Sequence, residues 1–70
     1  MSTKRIDARG LSCPQPVVLA NRAIEEGHNS FEVIVDNEVS RENIFRLAKK
    51  RSLNVHFHEE GSDIVISIAR

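Results

Sequence analysis

Apolar and polar positions along this chain alternate between a strand rhythm and a helix rhythm. Lys4 to Ala8 reads as a short strand that Arg9-Gly10 breaks. From Pro14 to Glu26, the spacing of Val17, Ala20, Ala23 and Ile24 marks one helical face, and Gly27 supplies the stop. Phe31 to Val35 is β-branched, with Phe31, Val33 and Val35 turned to one side. Asp36-Asn37 then offers a helix cap with Glu38 in the first turn. Ile44, Leu47 and Ala48 form the apolar stripe of this second helix, and Lys49, Lys50 and Arg51 occupy its last turn. The remainder reads as a hairpin. Leu53, Val55 and Phe57 alternate with Asn54, His56 and His58, Glu60-Gly61-Ser62 turns, and Ile64 to Ile68 returns.

The predicted order is β-α-β-α-β-β. The last strand is apolar on both faces except at Ser67, which places it inside the sheet and leaves the Asn54/His56/His58 strand at an edge. Right-handed crossovers put both helices on one face. The expected fold is therefore an α/β (α+β) two-layer sandwich: a four-stranded mixed sheet of order 1-2-4-3, the last strand antiparallel, under two helices. In that topology the carboxyl ends of the first two strands share a rim with both helix starts. Function is expected on that rim.

Seventy residues make a single domain, 1–70, burying only about 60% of its unfolded surface. Ten Lys+Arg balance ten Asp+Glu, and the aromatic residues are three Phe. Neither a basic excess nor stacking aromatics argues for a nucleic-acid partner. One cysteine permits no internal disulfide, and no Cys/His spacing points to a metal or other cofactor. The apolar run Val17-Val18-Leu19-Ala20 is too short for a signal peptide or membrane span, so a cytoplasmic location without membrane contact is expected, where a thiol stays reduced.

Chemistry gathers in Asp7-Ala8-Arg9-Gly10-Leu11-Ser12-Cys13-Pro14-Gln15-Pro16. If Cys13 caps the helix, Pro14 and Pro16 take its first and third positions, and Gln15 N–H is left to reach the sulfur. If Pro16 begins the helix, Cys13 lies in an extended approach. In both cases the prolines stiffen the backbone around the thiol, and the helix dipole, with Arg9, would lower its pKa from about 8.5. An isolated cysteine is elsewhere most often an inert apolar filler. Here the prolines and the Gly10 break set it at a helix start, off the periodic core face.

Leu11-Ser12-Cys13-Pro14-Gln15-Pro16 resembles the Cys-Pro-x-Pro signature of the TusA-like (SirA-like) sulfur-carrier family, and the preceding Asp-x-x-Gly resembles it too. Chain length and element order agree over nearly the whole chain. The resemblance implies that Cys13 accepts sulfane sulfur as a persulfide from a cysteine desulfurase or rhodanese-like donor and relays it to an acceptor protein. Pro14 and Pro16 would shape its turn. Val35-Asp36-Asn37-Glu38 with Arg41-Glu42-Asn43 looks more like the YedF-type branch, some of whose relatives are linked to selenium metabolism. No second cysteine is present to resolve a persulfide, which favours a relay acting by thiol exchange over a reductase.

Other residues carry alternatives. His56 and His58 at i, i+2 could ligate a metal, but a solvated edge face accounts for them as well. Asp7 reads equally as a partner for the backbone near Cys13 or as a strand end. Asp36 and Asn37 are first a cap. Arg9, Arg41 and Arg46 could form a docking surface for an acidic partner, although scattered solvated charge explains Arg46 more simply. Ile34 and Val65 point to the uncovered sheet face. The competing functions are a non-catalytic regulatory or interaction module and, by fold analogy alone, RNA binding.

Overall fold

The computed structural model describes residues 4–11 and 15–70. Ser12, Cys13 and Pro14 lie outside the described residues, as do Met1 to Thr3. The elements run β1 (Lys4–Asp7), α1 (Gln15–Glu25), β2 (Ser30–Val35), α2 (Glu38–Lys50), β3 (Asn54–Glu60) and β4 (Asp63–Ala69). The sheet order is β1-β2-β4-β3, with β1 parallel to β2 and β4 antiparallel to both its neighbours. The expected architecture is the observed one.

Alternation in β2 and β4 dictates how the layers meet. Phe31, Val33 and Val35 pair with Ile68, Ile66 and Ile64, and all six are buried. Ala20, Ala23 and Ile24 of α1 and Ile44 of α2 join them in one core cluster. Each large side chain sealed there contributes about 1.5–3 kcal/mol relative to exposure. Pro16 is also buried, so its role is packing as well as shaping the chain, whereas Val17 is only partly buried. On the open side, Val65 is 1% exposed although no helix covers that face.

The helix ends follow capping chemistry. Asn37 is extended (φ −154°, ψ 157°), and its Oδ1 accepts from Ser40 N at 2.8 Å. Asn37 is thus the cap of α2, and Asp36 is freed for another partner. Both helices close with a left-handed residue whose neighbour bonds back five residues. Gly27 does so after α1 (φ +87°, His28 N to Ala23 O 3.3 Å), and Ser52 after α2 (φ +60°, Leu53 N to Ala48 O 2.9 Å). The hairpin turns through Gly61-Ser62, with Glu60 paired to Asp63.

Candidate functional site

β1 ends at Asp7, and the chain must turn sharply to reach α1 at Gln15. Two backbone bonds hold the first part of that turn: Ala8 N donates to Ile34 O (2.8 Å), and Leu11 N donates to Ala8 O (3.4 Å). Gly10 lies at φ +76°, a conformation that any L side chain would strain. Leu11 packs against the core, and Ala8 is buried in it.

Asp7 organises the turn from its strand end. Its Oδ1 accepts from Arg9 N at 3.1 Å, an Asx turn. The Arg9 guanidinium folds back, Nε to Asp7 Oδ1 and Nη2 to Asp7 Oδ2, both 2.9 Å, in a bidentate pair. Its Nη1 reaches Asp63 Oδ2 on β4, also at 2.9 Å. One side chain therefore spans from β1 across the end of β2 to β4. The Arg9 side chain and backbone bonds together hold the Asp7 carboxyl down to about 2, and the two carboxylates raise the Arg9 pKa. Arg9 is thereby neutralised locally, which removes it from the docking surface expected with Arg41 and Arg46.

The second βα loop joins the first through Asp36. Its Oδ2 accepts from Gly10 N at 2.9 Å, and its Oδ1 accepts from Asn37 Nδ2 at 3.1 Å. The Gly10 amide, then the Asn37 amide, lowers the Asp36 pKa. The expected rim is thus physically connected: Arg9 with Asp7 and Asp63, and Asp36 with Gly10 and Asn37, form two hydrogen-bonded sets joined through the Arg9-Gly10 backbone. Gln15, exposed at the start of α1, and buried Pro16 lie beyond the undescribed stretch. Cys13 and Pro14 fall inside that stretch. Asp63 belongs to the first set but carried no signal in the sequence, because a carboxylate beside a Gly-Ser turn reads as hairpin chemistry alone.

The two histidines of β3 make no hydrogen bond to the described rim residues. His58 Nε2 lies 2.8 Å from Glu60 Oε2 two residues along the same open face and lowers the Glu60 pKa. Among the described residues no group of three or more metal-ligating side chains converges. No described helix is long and apolar enough to cross a membrane.

Comparison with known proteins gives this geometry a family. The model of the family described as sulfurtransferase TusA matches residues 4–70. The crystal structure of the SirA-like protein from Desulfitobacterium hafniense superposes with a TM-score of 0.88 at 31% identity, covering 96% of each chain. No curated protein matches significantly. With the family model spanning both strand-to-helix loops and the whole sheet, the chain belongs to the sulfurtransferase TusA family.

Proposed function

We propose that this chain is a sulfur carrier that holds sulfane sulfur as a persulfide on Cys13 and passes it to an acceptor protein. The observation that carries this reading is the fixed approach to Cys13. Three residues before it, Gly10 is tied to Asp36, and four before it, Arg9 is tied to Asp7 and Asp63. A thiol on so short a tether from a fixed backbone needs no enclosing pocket to be presented to another protein's thiol.

The chemistry is an exchange without net redox. The Cys13 thiolate attacks the terminal sulfur of a donor persulfide, an S–S bond forms on Cys13, and the donor thiolate leaves. An acceptor thiolate then attacks the same terminal sulfur, takes it, and releases Cys13 as thiolate. Pro14 and Pro16 restrict the backbone on the helix side, and Gln15 N–H is the first backbone donor after Cys13, since Pro14 has none. The donor class is a cysteine desulfurase or rhodanese-like protein acting in the cytoplasm, on a single domain spanning residues 1–70. Val35 to Glu38 and Arg41 to Asn43 support the YedF-type branch, for which selenium in place of sulfur is the alternative cargo.

Mass spectrometry after incubation with a desulfurase and cysteine tests the proposal. A gain of about 32 Da, reversed by dithiothreitol and absent in Cys13→Ser, is expected for a thiol-exchange carrier. A chain left unmodified by several persulfide donors would instead be a regulatory or interaction module.

A further inference from the structure

The flank of α2 beside β3 concentrates positive charge that the sulfur chemistry does not use. Of the five cations between Arg41 and Arg51, Lys50 and Arg51 turn toward α1, while Arg41, Arg46 and Lys49 share this flank with one carboxylate, Glu42. Arg5, Arg9 and Arg51 each lie against a carboxylate. Arg41, Arg46 and Lys49 ion-pair with no carboxylate among the described residues. Together with Glu42 and Phe45 they line a shallow groove of ≈ 320 Å³.

Aromatic packing fixes this flank to the sheet edge. Phe45 of α2 meets Phe57 of β3 edge-on, with ring centroids 5.5 Å apart and planes at 74°. The Arg41 guanidinium lies 4.6 Å from the Phe57 centroid and 5.5 Å from that of Phe45. Phe57 is nevertheless 43% exposed. β3 is the outer strand of the sheet: it pairs with β4 over seven residues without a bulge, and its other edge pairs with no described strand. A free edge of that length is a template for another strand.

From these observations we infer that β3 and the adjoining flank of α2 form a docking trough for an extended acidic segment of a partner protein, which adds as a fifth strand. Main-chain bonds to β3 would supply part of the affinity, and carboxylates on one face of the added strand would meet Arg41, Arg46 and Lys49. The spacing fits. Arg41 and Lys49 are eight helical residues apart, about 12 Å along the axis at ~1.5 Å per residue. An extended strand covers that distance in about four residues, so acidic side chains at i, i+2 and i+4 share the required face. RNA fits less well. Arg41 already occupies a face of the Phe57 ring that a base would need, and the chain's net charge of zero offers few phosphate contacts. The inference is independent of the sulfur reading, because the trough does not use Cys13.

The test uses the full chain, wild type and Cys13→Ser, with a seven-residue peptide alternating Thr and Glu as probe. Backbone amides of β3 and of Arg41 to Lys49 shift on titration, and β3 amides gain protection from hydrogen exchange. Arg41→Glu with Arg46→Glu weakens binding at least about tenfold, as does raising salt from 50 to 500 mM. Where the double variant does not fold, Lys49→Glu alone serves, with a smaller loss. Three outcomes overturn the inference: shifts confined to residues outside the trough, equal binding of the peptide with proline at its central position, or oligouridylate binding more tightly than the peptide at the same salt. A negative result here leaves the mass-spectrometric test of Cys13 untouched.

Discussion

The amide of Gly10 donates to the carboxylate of Asp36 at 2.9 Å, and this bond joins the two loops that lead into the helices. Asp36 in turn holds Asn37 Nδ2, and Asn37 caps α2 through Ser40 N. Position passes from the cap of one helix to the approach of the other through three adjacent groups. The residues that fix the first loop up to Gly10 are therefore distributed over β1, the turn after β2, and β4.

Asp36→Asn keeps the shape of this link but removes its charge. In the native chain the Gly10 amide proton should titrate with an inflection below the ordinary carboxylate range, following Asp36. In Asp36→Asn that inflection should vanish. Transfer of sulfur onto Cys13 should fall by up to about tenfold, since loosening of a positioned group is felt in rate before stability. NMR titration of the Gly10 amide and single-turnover loading measure the two. An unchanged Gly10 titration would show that the bond is not made in solution.

Acid should weaken the fold partly through Asp7. Its carboxyl is held at about 2, below the ordinary 3.8, chiefly by the Arg9 side chain. Between those values the unfolded chain binds more protons than the folded one, so this contribution is complete above about pH 4 and is lost as pH falls toward 2. Arg9→Gln should move Asp7 part of the way back toward its usual titration, the backbone bond from residue 9 remaining, as read by carboxyl carbon shifts, and should reduce the slope of stability in that window. Because the pair is exposed, added salt should diminish the effect.

How far the sequence reaches is clear from particular residues. Alternation in Phe31 to Val35 and the two-sided apolarity of Ile64 to Ile68 were enough to order the sheet, since only one arrangement buries both. Val65 shows the limit of that logic: nearly sealed on the face without helices, it owes its burial to neighbours on adjacent strands. The rim was legible as a place, because topology brings both loops to it. Its bonds were not. Arg9 read as a free cation near the thiol, yet a partner 54 residues away, Asp63, takes one of its donors. Asp36 read as a cap beside Asn37, and only the meeting of the loops reassigns it to Gly10. Long-range polar partners leave no periodic trace.

The two faces of β4 should respond differently to truncation. Ile66 is fully buried between the sheet and both helices, so Ile66→Ala should cost about 2–5 kcal/mol. A domain of this size has a stability of only about 3–10 kcal/mol, so the variant should be largely unfolded near physiological temperature. Val65→Ala, on the open face, removes two methyl groups where side chains can close in, and should cost about 1–2 kcal/mol. Urea denaturation of both variants checks the order. Equal losses would mean that the open face is as tightly packed as the core.

Ser52 offers a gain in stability. It is the only non-glycine among the described residues with positive φ, at +60°, and it closes α2 with Ser52 N to Lys49 O at 3.1 Å and Leu53 N to Ala48 O at 2.9 Å. The equivalent position after α1 is Gly27, which takes φ +87° without a Cβ to strain. Ser52→Gly should therefore stabilise the chain by about 0.5–1 kcal/mol, the relieved left-handed strain outweighing the extra entropy of a glycine in the unfolded state. For a domain of this length that raises Tm by roughly 2–8 °C. The reciprocal variant, Gly27→Ala, should lower Tm by a similar amount, and since nothing lies within 4 Å of the added Cβ, its cost is backbone conformation and not collision. Thermal unfolding of the two variants decides the matter: a Ser52→Gly chain less stable than the native one would mean that the serine hydroxyl supplies a bond at the helix end worth more than the strain it imposes.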